Sequence, residues 1–313
     1  MPQNAITNIR NSSFANRHSS LSLLFLLILF IVISACDNKN QTKEPSLPTK
    51  GEVVIAIDES LKSFVDAEIS MFSIFYPESR ITPLYLPEKE VVEKLLANEI
   101  QTGIICRNFL KEEADIIEDN YSHKITTCKI GYERIAVVVN KKNPLEEISY
   151  IDINRILSGK ISTWNQLDRS FNTESPVITV IPKLSSIDRL FFSSDEMSSH
   201  PQVHALGTTT EILDYVGKNI SAIGIVGGSS VYTIETQPSN IRVLKYIKED
   251  LKNKSQAEHL LFEVYAVTHE PFTGLGNGFI SFLVSQKGQL ILSKSGLIPC
   301  KPIEREIKIS DSL

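Results

Sequence analysis

Short apolar segments alternate with segments of helical periodicity after Lys50, and this alternation constrains the fold more than any other feature of the sequence. Residues 53–57 (VVIAI) are typical of a buried strand, and the apolar residues of segment 60–75 recur at the spacing of a helix. Further strands are predicted at 81–86, 102–106, 135–140, 177–181, 222–226 and 261–268, and further helices at 90–97 and 278–295. This order of elements predicts an α/β fold.

We expect this α/β chain to form two lobes around a central cleft, with crossovers near residues 139–140 and 265–267. Lobe 1 is then discontinuous and consists of residues 51–138 plus 266–313, whereas lobe 2 consists of residues 139–265. Because ligands bind preferentially in clefts of this kind, the predicted cleft is the first place to look for a site.

The N-terminal segment has the composition of a secretory signal peptide. Residues 21–35 (LSLLFLLILFIVISA) carry no charge, and they follow Arg10 and Arg17 with no acidic residue before them. A basic region, a short apolar region and small residues at its end are the signature of such a peptide. The apolar run is shorter than the about 20 residues that a membrane-spanning helix needs. Residues 1–35 are therefore expected to direct export.

Cys36 directly follows this segment, and residues 33–36 (ISAC) resemble the bacterial lipobox, whose cysteine is diacylated and becomes the new N-terminus. Two acyl chains such as palmitate hold a protein stably at a membrane. Residues 36–50 are polar and contain proline, which predicts a flexible tether. The alternatives are an ordinary signal peptide with a chance cysteine and an uncleaved anchor helix. We expect a membrane-anchored lipoprotein of the cell envelope or periplasm, at the inner or the outer membrane.

The charge of the chain argues against a nucleic-acid partner. The formal net charge is −5, and it becomes −7 when Arg10 and Arg17 are removed with the signal peptide. A general nucleic-acid-binding protein carries a basic surplus or a basic stripe instead. No nucleic-acid binding is therefore expected.

No metal and no cofactor are predicted. Cys106, Cys128 and Cys300 lack C-x-x-C spacing and have no histidine at the spacing of a metal ligand. In an exported protein, either a Cys106–Cys128 disulfide or buried free thiols would fit. The histidines after residue 100 stand in polar contexts and are predicted to lie at the surface.

An enzyme is not expected either. A hydrolase needs a nucleophile beside a base, and Ser185 or Ser186 with His200 or His204 could supply them. The sequence contains no G-x-S-x-G motif and no H-E-x-x-H motif, however.

Two junctions between a strand and a helix are candidate anion sites, because the first N–H groups of a helix are unpaired and attract negative charge. Ser60 follows the first predicted strand, and Ser185 and Ser186 open a helix in the middle of the chain. Arg107 or Arg134 could supply a fixed positive charge.

The alternative is that these serines only cap their helices, which is a common role for serine. Asp58 and Glu59 also place negative charge beside the first junction.

Five segments in succession resemble the PstS-like family of phosphate ABC-transporter substrate-binding proteins, and a divergent lipoprotein branch of it in particular. They are residues 156–167 (ILSGKISTWNQL), 184–186 (LSS), 222–227 (AIGIVG), 273–279 (TGLGNGF) and 286–299 (QKGQLILSKSGLIP). The resemblance implies a type 2 periplasmic binding fold. It also implies capture of inorganic phosphate or another oxyanion between two lobes, with an ABC permease as partner. Trp164, within the first segment, is expected to pack in the structure and not to touch ligand.

The family binds its oxyanion with backbone amides, hydroxyls, an arginine and an aspartate that accepts a proton. The resemblance implies that the ligand-binding positions of this chain are Ser60, Leu61, Cys106, Arg107, Ser185 and Ser186.

The chain departs from the family at each of these turns. Residues 58–60 (DES) replace a Gly-Ser-Thr-Thr-like turn, residues 106–107 (CR) replace a Ser-Asp pair, and residues 185–187 (SSI) replace Ser-Gly-Thr. The family's arginine before the last turn is absent, and Lys183 and Arg189 are the nearest cations. Two functions stay open: oxyanion capture for ABC-transporter uptake, and a non-transport envelope sensor or interaction lipoprotein that has lost phosphate specificity.

Overall fold

One long strand, Thr126–Asn140, organises the fold. Fourteen of its fifteen residues pair with other strands, and the partners differ between its first and second parts. The computed structural model describes residues 47–121, 124–167, 174–183, 185, 187, 203–232, 240–247 and 261–301. The signal peptide predicted at 1–35, the lipid-bearing Cys36 and most of the tether predicted at 36–50 lie outside this range. No helix among the described residues is both long and apolar enough to cross a membrane.

The described strands and helices alternate along most of the chain. The strands are β1 (Gly51–Asp58), β2 (Ser79–Leu86), β3 (Thr102–Ile105), β4 (Thr126–Asn140), β5 (Glu147–Ile148), β6 (Ile178–Pro182), β7 (Val203–Leu206), β8 (Ala222–Gly227), β9 (Ile241–Val243), β10 (Lys245–Tyr246), β11 (Leu261–Thr268) and β12 (Ile298–Pro299). The α-helices are α1 (Lys62–Phe75), α2 (Glu88–Leu96), α3 (Lys111–Tyr121), α4 (Tyr150–Leu157), α5 (Thr209–Lys218), α6 (Leu275–Leu283) and α7 (Gln286–Lys294). Short 3₁₀ turns form at Glu59–Leu61, Trp164–Gln166 and Gly228–Ser230.

The main sheet has the strand order β2-β1-β3-β11-β4-β8-β6-β7, and β12 and β9 also pair with β4. Strand β11 runs antiparallel to β4 from Thr126 to Arg134, and β8 runs antiparallel to β4 from Ile135 to Val139. We call the strands on the two sides of this change the first sheet section (β1, β2, β3, β11, β12) and the second sheet section (β6, β7, β8, β9). The predicted α/β fold is confirmed.

Strand β4 is the connection from which a two-lobe division would follow. Its partner changes between Arg134 and Ile135, a few residues before the boundary predicted between lobes at 138/139. The division into lobes stays a prediction, with this change of partner as its nearest structural counterpart.

The start of α1 differs from the prediction of a helix from residue 60. The segment Glu59–Leu61 forms a 3₁₀ turn, and α1 begins only at Lys62. The carboxylate of Asp58 accepts a hydrogen bond from the backbone N–H of Ser60 and so caps the turn. A short polar side chain at this position competes with helical hydrogen bonding, which explains the delayed start.

The aromatic core follows the sequence expectations where it is described. Trp164 is 1% exposed, and its Nε1 donates to the carbonyl of Ser221 at 3.1 Å, so its packing role is confirmed. Phe279 and Phe282 are buried, and each ring lies 5.4 Å from that of Phe72 in an edge-on arrangement. Such contacts between rings stabilise a core beyond the area that they bury.

Candidate functional site

The turn after β1 contains Ser60 and Leu61, the first predicted ligand residues. The carboxylate of Asp58 already accepts hydrogen bonds from both donors of Ser60. Asp58 is only 2% exposed, and its Oδ1 accepts from the N–H of Ser60 at 3.0 Å and from the hydroxyl of Ser60 at 2.8 Å. Leu61 is fully buried in the core. The described turn therefore presents an acid and a serine together.

The second predicted pair, Cys106 and Arg107, lies beside this turn. The Oγ of Ser60 and the Sγ of Cys106 are 3.8 Å apart, although the two residues are 46 positions apart in sequence. Strands β1 and β3 are parallel neighbours, so their carboxyl ends meet at one edge of the sheet. This is the edge at which α/β proteins usually bind ligands.

Glu88, at the start of α2, reaches into the same place. Its side chain is buried, and it accepts from the backbone N–H of Cys106 at 3.1 Å. Its Oε1 also lies 3.4 Å from the Nε of Arg107. Sequence reasoning missed Glu88, because an acid in the first turn of a helix is ordinary and only the tertiary contact distinguishes it.

Arg107 is held by two carboxylates. Besides Glu88, the guanidinium donates to both carboxylate oxygens of Glu113 on α3, at 2.7 and 2.6 Å. This is the parallel two-bond geometry that makes Arg–carboxylate pairs strong. The positive charge predicted to face an oxyanion is therefore balanced within the protein. Arg134, the other candidate cation, is exposed.

Glu133, in the middle of β4, is a further buried acid that sequence reasoning missed. It is 1% exposed, and its Oε1 accepts from the N–H groups of Ser229 at 2.9 Å and Arg134 at 3.0 Å. Its Oε2 has no hydrogen-bond partner within the described part of the chain. The signal that could have found it is an acid directly before the apolar run 135–139 (IAVVV).

Two of these acids and the neighbouring thiol have raised pKa values. Burial raises the pKa of Asp58 to about 7, and the charge of Glu88 adds to the effect. Burial likewise raises the pKa of Glu133 to about 7. The pKa of the Cys106 thiol is raised by burial and then by Asp58, Glu88 and Glu133. The group therefore carries fewer protons, and more negative charge, above neutral pH.

The third predicted element is described only in part. Ser185 is buried, its hydroxyl donates to the carbonyl of Pro182 at 3.1 Å, and its Oγ accepts from the N–H of Ile187 at 3.2 Å. Ser186 lies outside the described residues. The bonds of Ser185 are those of a turn-capping serine.

The turn after β1 also contacts elements that follow the second sheet section. Glu59 accepts from the N–H and the hydroxyl of Thr209, at the start of α5, at 2.7 and 2.8 Å. The hydroxyl of Ser230 donates to the carbonyl of Ser60 at 3.0 Å. The carboxylate of Glu59 thus occupies a helix N-terminus, a position that favours anions.

The expectations for cysteines and histidines had different outcomes. Cys106, Cys128 and Cys300 are free thiols, so the Cys106–Cys128 disulfide is wrong. The alternative of buried free thiols is confirmed for Cys106, whereas Cys128 and Cys300 are only partly buried. His204 is exposed as predicted, but His269 is buried after the end of β11, where the surface prediction is wrong. Among the described residues, no group of three or more His, Cys, Asp or Glu side chains could hold a metal ion.

Comparison with known proteins places this architecture among binding proteins. The model of the PBP superfamily domain matches residues 42–287. The phosphate-binding protein PstS of Pseudomonas aeruginosa is 18% identical in an alignment 293 residues long, which covers 85% of this chain and 91% of that protein.

Two solved structures share the fold. One is a protein of Clostridium perfringens described as a phosphate ABC transporter substrate-binding protein, with bound phosphate; it is 24% identical with a TM-score of 0.66. The other is an ABC-type phosphate transport receptor of Vibrio cholerae, 16% identical with a TM-score of 0.57. Each match covers 80% of this chain and 100% of the other chain. The expected type 2 periplasmic binding fold and the resemblance to PstS-like proteins are confirmed.

Proposed function

The chain belongs to the PBP superfamily, and from this premise we propose that it is a lipid-anchored solute-binding protein that captures phosphate or a related oxyanion for ABC-transporter uptake. The names of its relatives in Pseudomonas aeruginosa and Vibrio cholerae support phosphate as the first ligand to test. In this proposal the protein binds and releases its ligand without chemical change, so it is not an enzyme.

The observation that supports the proposal most is the distance of 3.8 Å between the Oγ of Ser60 and the Sγ of Cys106. The resemblance assigned both positions to one ligand site, and they lie together at the carboxyl edge of β1 and β3. The donors proposed for the oxyanion are the N–H and hydroxyl of Ser60, the N–H groups of Leu61 and Cys106, and the guanidinium of Arg107. Ser185 and Ser186 would add donors from the second lobe.

The protonation state of Asp58 controls whether the donors of Ser60 are available to an oxyanion. Asp58 and Glu88 now accept from Ser60 and Cys106, and an anion placed there would meet negative charge. Because the pKa of Asp58 is about 7, this carboxyl group becomes neutral in mildly acidic solution. A neutral carboxyl group repels an anion less and can donate one hydrogen bond to it. We therefore expect oxyanion affinity to increase as the pH falls.

Isothermal titration of the protein with phosphate and with sulfate at pH 5.5, 7 and 8.5 tests this proposal. The expected result is saturable binding that is tightest at pH 5.5. Asp58→Asn should weaken the pH dependence, whereas the exposed Glu112→Gln should leave it unchanged. If neither anion produces heat or a thermal shift at any of the three pH values, oxyanion capture is wrong.

The lipid anchor is tested separately by the mass of the mature protein. Acylation at Cys36 should add the mass of the acyl chains and keep the protein in the membrane fraction, and Cys36→Ser should abolish both. A permease partner would be indicated by permease and ATPase genes beside the gene for this chain.

A second candidate function is an envelope sensor or interaction lipoprotein on the same scaffold. It is favoured by the double pairing of Arg107 with Glu88 and Glu113, which leaves its charge balanced without ligand. Absence of oxyanion binding together with a confirmed anchor would select this function. Neighbouring genes for secretion or outer-membrane uptake would point the same way.

A further inference from the structure

A groove lined by aromatic side chains shares no lining residue with the candidate site. It has a volume of about 710 Å³ and lies between segment 47–50 and the helices α1, α6 and α7. We call it the aromatic groove and define it by Pro48, Phe75, Phe272, Phe282 and Lys287.

The rim of the aromatic groove exposes large apolar side chains to solvent. Phe272 is 91% exposed and Ile74, next to Phe75 on α1, is 71% exposed. Phe75 is also exposed, and its ring centroid lies 6.2 Å from that of the buried Phe282. Apolar side chains that cluster at a surface in this way mark a site of contact with a partner or a membrane.

Lys287 is the one charged residue among the described residues that line the aromatic groove. The Nζ of Lys287 lies 3.8 Å from the centre of the Phe75 ring. No carboxylate is found among the lining residues that the structure describes. Aromatic rings beside a lysine suit the boundary between water and lipid, where rings lie at headgroup depth and lysine meets anionic phosphates.

The described part of the chain begins at this same groove. Hydrogen bonds in both directions between Leu47 and Lys50, at 2.9 and 3.1 Å, close segment 47–50 into a turn. The segment lies directly on α6, because a Cβ added to Gly278 would be 1.7 Å from the carbonyl oxygen of Pro48. Ten residues lie between Cys36 and Leu47, and the eleven Cα–Cα steps from one to the other span at most about 40 Å. A lipid on Cys36 therefore keeps this face near the membrane.

We propose that the aromatic groove is the membrane-facing surface of the protein and rests on a phospholipid bilayer, with Phe272 and Phe75 at headgroup depth and Lys287 beside lipid phosphates. The inference rests on the proposed lipid anchor at Cys36. It adds to that function a fixed orientation of the protein, in which one face meets the bilayer and the other faces stay in water.

Fluorescence quenching in vesicles tests the orientation. The full, acylated protein is reconstituted into phosphatidylcholine and phosphatidylglycerol vesicles that contain lipids brominated near the headgroup. The wild-type chain has a single tryptophan, Trp164, which is buried and supplies the baseline. Phe272→Trp adds a tryptophan at the groove, and Ile151→Trp adds one at an exposed position on α4 as the matched control.

For Phe272→Trp, the added tryptophan is expected to shift its emission to shorter wavelength and to lose fluorescence to the brominated lipids. For Ile151→Trp, quenching should stay at the level that wild-type Trp164 shows. If the protein is acylated but both variants are quenched equally, or neither is, the orientation is wrong while the anchor stands. If the protein carries no acyl mass, the proposed anchor and the orientation fail together. Phe272 is almost fully exposed, so both variants should unfold at the wild-type temperature.

Discussion

Glu68 is a buried acid with no charge partner among the residues that the structure describes. It lies in α1 with no exposed surface, and neither carboxylate oxygen has a hydrogen-bond partner within the described residues. Burial raises its pKa to about 9, so the side chain is protonated at neutral pH. An acid of this kind makes the stability of the fold depend on pH.

The sign of that dependence follows from proton binding. In the unfolded chain Glu68 loses its proton near its ordinary value of 4.5, whereas in the folded chain it keeps the proton up to about pH 9. The unfolded state is therefore favoured progressively as pH rises between these values, by up to ~1.4 kcal/mol per pH unit. Stability from this residue is complete below about pH 4.5 and declines up to about pH 9.

We expect Glu68→Gln to match the wild type in urea unfolding at pH 5 and to be more stable at pH 8. Glutamine has the shape of the protonated acid but does not titrate. The exposed Glu112→Gln on α3 is the control and should shift neither midpoint. An equal difference in unfolding free energy at both pH values would contradict this account of Glu68.

The three cysteines after Cys36 should differ in reactivity. Cys106 is buried and its pKa is raised, whereas Cys128 and Cys300 are partly exposed. A thiol reacts as its thiolate, so burial and a raised pKa both protect it. Titration of the mature, acylated protein with a chromogenic disulfide should give two thiols when folded and three in denaturant. One thiol in denaturant would indicate a disulfide instead.

The sequence predicted that Ser60 and Cys106 lie in one site, but it did not predict the acids that surround them. Ser60 and Cys106 could be paired through resemblance, since each follows a strand. The surrounding acids come from three distant segments, as Asp58 ends β1, Glu88 begins α2 and Glu133 lies within β4. Each is an ordinary polar residue in its own segment. Their contact depends on the order of strands in the sheet, which residue spacing does not encode.

At the scale of elements, strands with a nearly continuous apolar run were predictable, whereas a strand portion interrupted by polar residues was not. Strand β11 (Leu261–Thr268) has the predicted bounds, because its apolar run is almost continuous. The first part of β4, residues 126–134 (TTCKIGYER), was missed since polar and charged residues interrupt it. Helix α3 was missed as well, because Ile117 is its one fully buried residue and its other positions are mostly charged or polar.

The contact of α6 with segment 47–50 gives a prediction at the scale of elements. Gly278→Ala should destabilise the protein by about 1–3 kcal/mol, since its Cβ would overlap the carbonyl of Pro48. The matched control is Gly217→Ala on α5, where the nearest atoms would be 3.7 and 3.8 Å away. That change should be neutral or stabilise by roughly 0.5–1 kcal/mol, because alanine is a better helix former.

Urea unfolding measures both variants, and limited proteolysis at Lys50 measures whether segment 47–50 has detached. Faster cleavage of Gly278→Ala than of Gly217→Ala is expected. Equal stability and equal cleavage of the two variants would show that segment 47–50 does not depend on its contact with α6.

At the scale of the whole molecule, the chain is joined across its two sheet sections by β4 and by the turn after β1. The carboxylate of Glu59 caps α5, which packs on the second sheet section, and the hydroxyls of Ser229 and Ser230 approach the carbonyl of Ser60 at 3.5 and 3.0 Å. The Glu59 carboxylate thus lies where a binding protein of this superfamily could hold an anionic ligand. In the predicted two-lobe division, these bonds join lobe 1 to lobe 2.

We therefore expect Glu59→Ala to increase the radius of gyration of the ligand-free protein in small-angle scattering. The variant loses the two hydrogen bonds that Thr209 donates to Glu59, and Glu211 stays as the carboxylate at the positive end of α5. Glu147→Ala, an exposed change in β5, is the control and should leave the scattering unchanged. Addition of phosphate at pH 5.5 should return the Glu59→Ala variant toward the wild-type radius, because a bound oxyanion would draw the lobes together. A radius equal to that of the wild type before phosphate is added would mean that Glu59 does not hold the lobes, and that β4 alone sets their arrangement.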